Sequence, residues 1–436
     1  MTASRIPNLF KVPELKEKIL FTLLCLVIYR LGTHLAAPGV NIQAIADYSR
    51  GAAQGTLLNL YDLFAGGGFW RASVFALGIM PYISASIVFQ MAGPVFPMIE
   101  KLQRDEEGRK RITQWTRYLT VLICLGQGIG YAKFLETQIQ GAVTHPGLGF
   151  EFTTALILTT GGVLVMWLAE QITERGLGNG QSLMIFFSIV DRIWPEAGRT
   201  IEALQAGSIK FGVLLVILVM MVLVVAGTVA VTVASRRIPI QIPRKVMGRG
   251  RIAEGRKTFI PLRINTSGVM PIVFAQSIIV LPATFATFTN VPVLKNLAGY
   301  FTTTSPAYLI TMALLIVFFA YFYTSIIFNP TDLAENLKKQ GGFIPGVKPG
   351  AATADYIDEV LSRITLPGSI FLTLVALLPI LVSNIMNMPF GFGGTALLIV
   401  VGVALDTVQQ VQQHLLLRHY DGFMKEGRIK FRGRPR

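Results

Sequence analysis

The stretch LLNLYDLFAGGGFWRASVFALGIMPYISASIVFQ, residues 57–90, contains an apolar segment too short to cross a membrane and the start of one that is long enough. A helix needs about 20 mostly apolar residues to span roughly 30 Å of hydrocarbon, and residues 73–96 provide them. Residues 57–64 cannot span, and glycines at 66–68 close them. Such a segment is typically re-entrant or interfacial, and re-entrant backbone must be covered by protein or line a cavity. A re-entrant segment here predicts a cavity, with a helix on the outer surface as the alternative.

The composition indicates that lipid is the solvent for most of this chain. Hydrophobic residues make up 52% of the 436 positions and charged residues only 14%, whereas soluble domains carry about 25% charged residues. Cys25 and Cys124 lie inside apolar runs and the four histidines are scattered, so we expect no disulfide framework, metal site or other cofactor. The basic start, up to Lys18, lacks a small-residue cleavage site, and we expect the first apolar run to be retained as a span.

Ten apolar runs predict an all-α integral membrane protein with ten transmembrane helices. They cover residues 19–37, 73–96, 118–135, 153–171, 182–193, 211–234, 268–287, 308–328, 368–385 and 395–415. Lys and Arg concentrate on alternate connections, namely 1–18, 101–117, 175, 236–263, 338–363 and 418–436. Because basic residues are retained on the cytoplasmic side, both termini are expected there, as an even number of spans also requires.

Short internal repeats predict two halves of opposite orientation. Gly-Ile-Met-Pro at 78–81 opens the second run, and Gly-Val-Met-Pro at 268–271 opens the seventh. Glycine clusters at 178–180 and 391–394 precede the fifth and tenth runs. Units of five helices that repeat in this way must be inverted relative to each other. We therefore predict two halves, residues 1–200 and 201–436, with the short segment at about 57–70 in the first half.

Long ordered blocks of the chain, from the second run to the last, resemble the SecY family. They are FALGIMPYISASIVFQ (75–90), WLAEQITERGLGNGQS (167–182), FIPLRINTSGVMP (259–271), FYTSIIFNPTDLAENLKKQGGFIPGVKPG (322–350) and FGGTALLIVVGVALD (392–406). The resemblance implies ten helices in two inverted halves, with a pore between them and a lateral gate toward lipid. It also implies a protein-conducting channel, which passes unfolded secretory polypeptides across the membrane or releases membrane-protein helices sideways.

The resemblance places a ring of aliphatic side chains at the waist of the pore, on Ile79, Ile83, Ile185, Ile189, Val273 and Ile399. Residues 79 and 83 are four apart, as are 185 and 189, so each pair shares one helix face. Apolar residues that face lipid or a neighbouring helix would show the same spacing. The resemblance also implies a re-entrant plug helix at about 57–70, formed by Leu60, Tyr61, Leu63, Phe64, Gly66, Gly67 and Gly68.

The implied lateral gate lies between the second and third runs on one side and the seventh and eighth on the other. Polar residues positioned to hydrogen-bond across it are Ser84, Ser86, Gln90, Gln276 and Ser277. Interhelical hydrogen bonds in membranes are worth about 0.6–2 kcal/mol each, which suits a gate that must open. Ordinary helix packing uses the same residue types.

Two loops at about 236–265 and 336–363 carry more basic residues than topology requires, and the C-terminal tail is also basic. Such loops can bind ribosomal RNA phosphates or an acidic protein surface. The resemblance makes them the docking site for the ribosome and the ATPase motor SecA, on Arg244, Lys245, Arg249, Arg251, Arg256, Lys257, Lys338, Lys339 and Lys348. At Lys348 the family usually has arginine, whose planar fork lysine does not reproduce.

The resemblance further implies SecE and SecG as partner subunits, signal peptides and nascent polypeptides as clients, and membrane lipids around a chain in the bacterial plasma membrane. A secondary transporter of small molecules is the alternative function, since inverted repeats also mark that class. The predicted spans hold few ionisable residues, and Arg30, Glu170 and Asp406 lie toward their ends. No zinc-protease motif, nucleophile elbow or P-loop occurs, so we expect no enzyme but a passive channel driven by a partner or the membrane potential.

Overall fold

The structure is a computed structural model that describes residues 13–51, 57–207, 210–241, 246–247, 251–252, 257–265, 268–288, 302, 305–385 and 394–426. The described residues are mostly helical. The helices are α1 (Pro13–Gly32), α2 (Ile42–Gly51), α3 (Leu57–Phe64), α4 (Met80–Val95), α5 (Pro97–Arg104), α6 (Glu106–Gln138), α7 (Leu148–Arg175), α8 (Gly180–Gln205), α9 (Phe211–Val233), α10 (Met270–Phe288), α11 (Pro306–Ile327), α12 (Pro330–Lys339), α13 (Ala351–Ile385) and α14 (Gly394–Glu426).

Six helical segments of the described residues are long and apolar enough to cross a membrane, and the bent pair α4–α5 would make a seventh. The six correspond to α6, α7, α9, α11 with α12, α13 and α14. Each of the ten predicted runs overlaps a helix, but α1 and α8 carry several charged residues within their length. The apolar part of α10, Met270–Thr284, is shorter than the six. Length and hydropathy therefore identify a multi-pass membrane protein with six or seven clear spans.

Helix boundaries differ from the predicted runs where glycine or polar residues intervene. The second run was predicted from residue 73, but residues 73–79 form turns and α4 begins at Met80. Gly78 has a φ of +57°, a left-handed conformation that glycine adopts without strain and that prevents the helix from starting earlier. Conversely, α8 continues well beyond the predicted end of the fifth run at residue 193, and α13 begins 17 residues before the ninth run, at Ala351.

The helices pack into one continuous core that both ends of the chain share. In the first part of the chain, α6 packs on α4 and α7, and α7 packs on α1 and α8. In the second part, α11 packs between α10 and α13, and α14 packs on α9 and α13. The two parts meet where α10 contacts α3, α4 and α6, and where α14 contacts α8. A single hydrophobic cluster runs through these contacts.

The basic loop at about 236–265 contains strands, which the all-α prediction lacked. β1 (Ser235–Gln241) pairs antiparallel with β4 (Lys257–Arg263), and the short β2 (Val246–Met247) pairs with β3 (Arg251–Ile252). Ile238 and Ile240 alternate with exposed residues along β1, the period of a strand with one buried face. The buried face packs against α12 and the N-terminal part of α13 in a second hydrophobic cluster, formed by Ile238, Ile240, Leu262, Leu337, Ile344, Ile357, Val360, Leu361 and Ile364.

Candidate functional site

The six predicted ring residues lie on four helices and are all buried. Ile79 and Ile83 lie at the start of α4, Ile185 and Ile189 on α8, Val273 on α10 and Ile399 on α14. Each side chain is at most 4% exposed, and all six belong to the shared core cluster. Aliphatic side chains from both parts of the chain thus contribute to one buried apolar core.

Two equivalent turns position the ring residues of α4 and α10. Gly78 and Gly268 have φ values of +57° and +63°, and each is followed two residues later by the first residue of a helix. A Cβ at Gly78 would lie 3.0 Å from the Cα of Ala65, so this turn also permits close packing against the end of α3. On α8, the side chain of Asn179 caps the helix by accepting hydrogen bonds from the backbone N–H groups of Gln181 (3.0 Å) and Ser182 (3.3 Å).

The predicted plug helix, α3, lies inside the protein and belongs to the same core cluster as the ring residues. Six of its eight residues are buried, and Asn59 and Leu60 are half-buried. A helix on the outer surface would expose one face, which α3 does not do. The side-chain hydroxyl of Tyr61 donates to the carbonyl of Leu77 (2.9 Å), and that of Tyr131 on α6 donates to the carbonyl of Phe69, just after α3 (2.6 Å). Gly66, Gly67 and Gly68 follow, all buried, with positive φ at the first two.

Charged residues border α3 on the side that faces α8. Asp62 is fully buried and forms an ion pair with Arg192 of α8, and a second ion pair joins Arg30 of α1 to Asp191 of α8. A charged side chain inside a membrane protein is costly unless it is paired, so such groups are typically functional. None of these four residues was among the predicted site residues, although an aspartate in a short, mostly apolar helix was a usable signal.

Among the predicted gate residues, one makes a hydrogen bond across the boundary between the two parts of the chain. The hydroxyl of Tyr323 on α11 donates to Oε1 of Gln90 on α4 (2.5 Å), and Nε2 of Gln90 donates to Ser86 on its own helix (2.8 Å). Ser84 and Ser277 instead donate to carbonyls of their own helices, those of Met80 (3.0 Å) and Val273 (2.9 Å).

Gln276 is the remaining predicted gate residue, and it is only 1% exposed on α10. Within the described part of the chain, no hydrogen-bond partner reaches either of its side-chain polar atoms. Tyr323 was absent from the predicted gate, because the same run also contains Tyr308 and Tyr321 and the sequence does not distinguish between the three. Its ring packs edge-on against Phe274 of α10 with 4.9 Å between centroids, so the same residue joins α4, α10 and α11.

The two predicted docking loops pack against each other. The backbone N–H of Gln241 at the end of β1 donates to the carbonyl of Phe343 (2.9 Å), and Phe343 donates back (3.0 Å). The exposed lysines beside this junction are Lys338, Lys339 and Lys348. Arg251 and Lys257 lie on β3 and β4, while the predicted positions Arg244, Lys245, Arg249 and Arg256 lie outside the described residues.

Metal-ligating side chains do not cluster in the part of the chain that the structure describes. Histidine, cysteine, aspartate and glutamate do not gather there in groups of three or more. The two cysteines are buried within different helices. The features found at the site are six buried aliphatic side chains, a short buried helix in the same core, and a polar contact between α4 and α11.

These features define a class of protein: a multi-pass membrane protein in which helices from both parts of the chain share one apolar core that includes a short internal helix. The SecY family model matches residues 73–408. The chain is 42% identical to the protein translocase subunit SecY of Aquifex aeolicus over 96% of this chain and 98% of that protein, and 41% identical to that of Escherichia coli K12 over 97% and 96%. The chain therefore belongs to the SecY family.

Solved structures share the fold at much lower sequence identity. A protein-conducting channel superposes with a TM-score of 0.68 at 18% identity, covering 98% of this chain and 99% of that chain. Sec61 in the canine ribosome–channel complex from the endoplasmic reticulum superposes with a TM-score of 0.63 at 17% identity over 98% and 99%. The whole chain, and not a single domain of it, therefore has this fold.

Proposed function

We propose that this chain is the channel subunit through which unfolded secretory polypeptides cross the membrane, and from which membrane-protein helices leave sideways into lipid. The observation that carries the proposal is the burial of the ring residues in one core that both parts of the chain share. Six aliphatic side chains from α4, α8, α10 and α14 are buried together, in a chain whose family is that of the protein translocase subunits. The finer architecture proposed with it is ten spans in two inverted halves, residues 1–200 and 201–436.

The ring acts as a seal that recognises no particular sequence. Aliphatic side chains in a narrow constriction exclude ions by dewetting, and they offer a passing polypeptide neither charge nor hydrogen bonds. The seal is reinforced by α3, whose residues Tyr61, Leu63 and Phe64 lie in the same core cluster. For this reason we assign residues 57–70 as the plug segment, which must move before a polypeptide can pass.

Sideways release requires that α4 separate from α10 and α11. Among the described residues, the contacts holding them include packing between α4 and α10 and the hydrogen bond from Tyr323 to Gln90. Interhelical hydrogen bonds in membranes average about 0.6 kcal/mol, so a hydrophobic helix that binds at this boundary can offset the loss. This boundary is therefore the proposed lateral gate and the site where signal peptides bind.

The paired cytoplasmic loops serve as the docking surface for the machines that supply the polypeptide. Their junction through Gln241 and Phe343 places Lys338, Lys339 and Lys348 on the same projection as the β1–β4 hairpin. Clustered lysine and arginine attract RNA phosphates and acidic protein surfaces. The ribosome and SecA are the proposed partners there, SecE and SecG are the proposed accessory subunits, and the bacterial plasma membrane, with both termini cytoplasmic, is the proposed location.

A passive channel agrees with the chemistry of the chain better than a transporter or an enzyme. Neither the family nor the structural relatives support a secondary transporter of small molecules. The charged groups Arg30 and Glu170 are paired, with Asp191 and Arg117 respectively, rather than arranged as a proton relay. Energy for transport is proposed to come from a partner ATPase, the ribosome or the membrane potential.

The proposal is tested by placing photo-crosslinking residues at Ile83, Ile185 and Ile399 and stalling an exported precursor halfway across membranes that contain the chain. Crosslinks to the precursor are expected from all three positions. Leu223, which is 65% exposed on α9, is the lipid-facing control, and Leu158, fully buried on α7 outside the ring, is the core control. Crosslinks from the controls but not from the ring would contradict the channel.

A further inference from the structure

The plug segment carries a buried charge that belongs to no part of the proposed seal. Asp62 lies in the middle of α3, and its side chain has no exposed surface, whereas that of its ion-pair partner Arg192 is 23% exposed. An ionised carboxylate removed from water is stable only when it is paired and hydrogen-bonded. The presence of an acid in an otherwise apolar internal helix therefore needs a reason.

The carboxylate of Asp62 connects α8 to the turn that ends the plug segment. One oxygen, Oδ1, accepts hydrogen bonds from the backbone N–H groups of Phe69 (3.0 Å) and Trp70 (3.3 Å), and the other, Oδ2, faces Arg192. The backbone N–H of Gly67 also donates to the carbonyl of Asp62 (3.0 Å). The fold of residues 62–70 and their attachment to α8 thus depend on the same side chain.

A second group of contacts holds the same face of the plug segment. Arg30 pairs with Asp191, the residue before Arg192, and points one nitrogen toward the carbonyl of Gly66 (3.5 Å). The hydroxyl of Tyr29 lies 2.9 Å from that of Ser188 on α8. Because Ser188 donates to the carbonyl of Met184, Tyr29 is the donor to Ser188. Neighbouring residues of α1 and α8 therefore form one set of polar contacts beside the glycines that begin at Gly66.

We propose that Asp62 and Arg192 form a charge latch that holds the plug segment closed, with Arg30 and Asp191 keeping the arginine side of the latch in position. This inference rests on the proposed function, because a plug has meaning only in a channel. The four residues are positioning residues: they act through the location of α3 and need not touch the polypeptide.

The attraction between Asp62 and Arg192 is strong when water is excluded from the pair and weak when water surrounds it. In the closed state the pair interacts in a low effective dielectric, where opposite charges attract much more strongly than in water. When a polypeptide displaces the plug segment and water follows, both charges become solvated, and little attraction opposes further opening. The attraction of the charge pair is therefore lost mainly at the step in which water enters.

The burial of the two partners differs, and this predicts unequal effects of removing them. Arg192→Gln leaves the carboxylate of Asp62 buried without its counter-ion, the more costly situation. Asp62→Asn leaves an arginine that already reaches water, and the asparagine oxygen can still accept from Phe69 and Trp70. Combining both changes removes the unpaired buried charge. The double variant is therefore expected to be less disturbed than Arg192→Gln alone.

The experiment measures ion efflux, without precursor, from liposomes that contain the full-length chain with its co-purifying subunits. Arg192→Gln is expected to raise efflux about tenfold or more, since breaking a buried pair strongly destabilises the state that contains it. Asp62→Asn should raise efflux less, and Asp62→Asn added to Arg192→Gln should lower it again. The matched control is Lys133→Gln on α6, whose side chain is 54% exposed and whose ion pair with Glu151 of α7 involves neither α3 nor α8, and it should leave efflux unchanged.

Rescue by the second substitution separates a latch from a general structural role for Arg192, since a damaged α8 would not be repaired by a change on α3. Unchanged efflux in Arg192→Gln, or a double variant as leaky as Arg192→Gln, would overturn the latch. If Arg192→Gln fails to accumulate, Asp62→Asn carries the test alone, and native-level efflux would overturn it. Ring crosslinks measured on the same preparations distinguish the two proposals. If the precursor crosslinks at the ring but the substitutions do not change ion efflux, the latch is wrong and the channel proposal stands.

Discussion

Replacing Tyr323 by phenylalanine removes the hydrogen bond that crosses the proposed lateral gate and leaves the packing there unchanged. The hydroxyl of Tyr323 is 2.5 Å from Oε1 of Gln90, while its ring contacts Phe274 at 4.9 Å, a contact that phenylalanine keeps. Gln90 is half-buried and its amide still bonds to Ser86. The substitution therefore deletes one interaction and creates no cavity.

The magnitude follows from the number of bonds lost. One interhelical hydrogen bond in a membrane averages about 0.6 kcal/mol, with a maximum near 1.7 kcal/mol. Since about 1.4 kcal/mol corresponds to a tenfold change in an equilibrium constant, Tyr323→Phe should favour the open gate by about threefold and by no more than about twentyfold. The effect should appear as easier release of hydrophobic segments, without loss of the closed state.

The gate equilibrium can be measured from the distance distribution between spin labels at Val88 on α4 and Ile326 on α11, both exposed on the outside of the bundle. Tyr323→Phe should increase the population at the longer distance. The matched control is Tyr321→Phe on the same helix, whose hydroxyl is 3.4 Å from the carbonyl of Ser362 on α13 and does not cross the gate. An unchanged distribution in Tyr323→Phe, or an equal shift in Tyr321→Phe, would refute the reasoning.

Three further substitutions test other parts of the fold. A Cβ at Gly161 would lie 1.9 Å from the carbonyl oxygen of Val74, so Gly161→Ala should destabilise the protein by about 1–3 kcal/mol in thermal unfolding, while Gly212→Ala, in open space, should not. Ile399→Asn should raise ion leak through reconstituted channels because it wets the ring; an equal leak in Leu397→Asn, on the same helix outside the ring, would argue against that assignment. Ile240→Asp places a charge in the buried face of β1 and should increase proteolysis of the hairpin while leaving the ring crosslinks intact.

Several parts of the fold were predictable because they depend on local composition. Membrane residence follows from the apolar runs, and the family follows from ordered motifs such as residues 322–350. The apolar helix at 57–64 was recognisable by its length and the glycines after it, and the structure places α3 at the same bounds. The plug role and the ring assignments came from the resemblance, and they remain predictions that the crosslinking experiment tests.

Other parts depend on contacts between distant segments and escaped prediction. The β1–β4 hairpin was not predicted, and its loop was described only by its charge. A strand of seven residues with two prolines nearby gives little periodic signal in the sequence. Of the five predicted gate residues, Ser84 and Ser277 bond within their own helices. Serine in a helix readily donates to the carbonyl four residues earlier, so polarity alone does not tell a cross-gate bond from a local one.

By itself the sequence determined that the chain is a multi-pass membrane protein and which family it belongs to, since these depend on composition and order along the chain, and it predicts which side the basic loops occupy. Tertiary structure alone decided that Asp62 meets Arg192, that Tyr323 rather than Ser84 reaches across to its neighbour, and that two loops about a hundred residues apart pack as one projection. The physical reason is that partner choice in a packed interior is set by which side chains are brought within a few ångströms. In lipid, where every run is apolar, hydrophobicity places a helix in the membrane but does not select its neighbour.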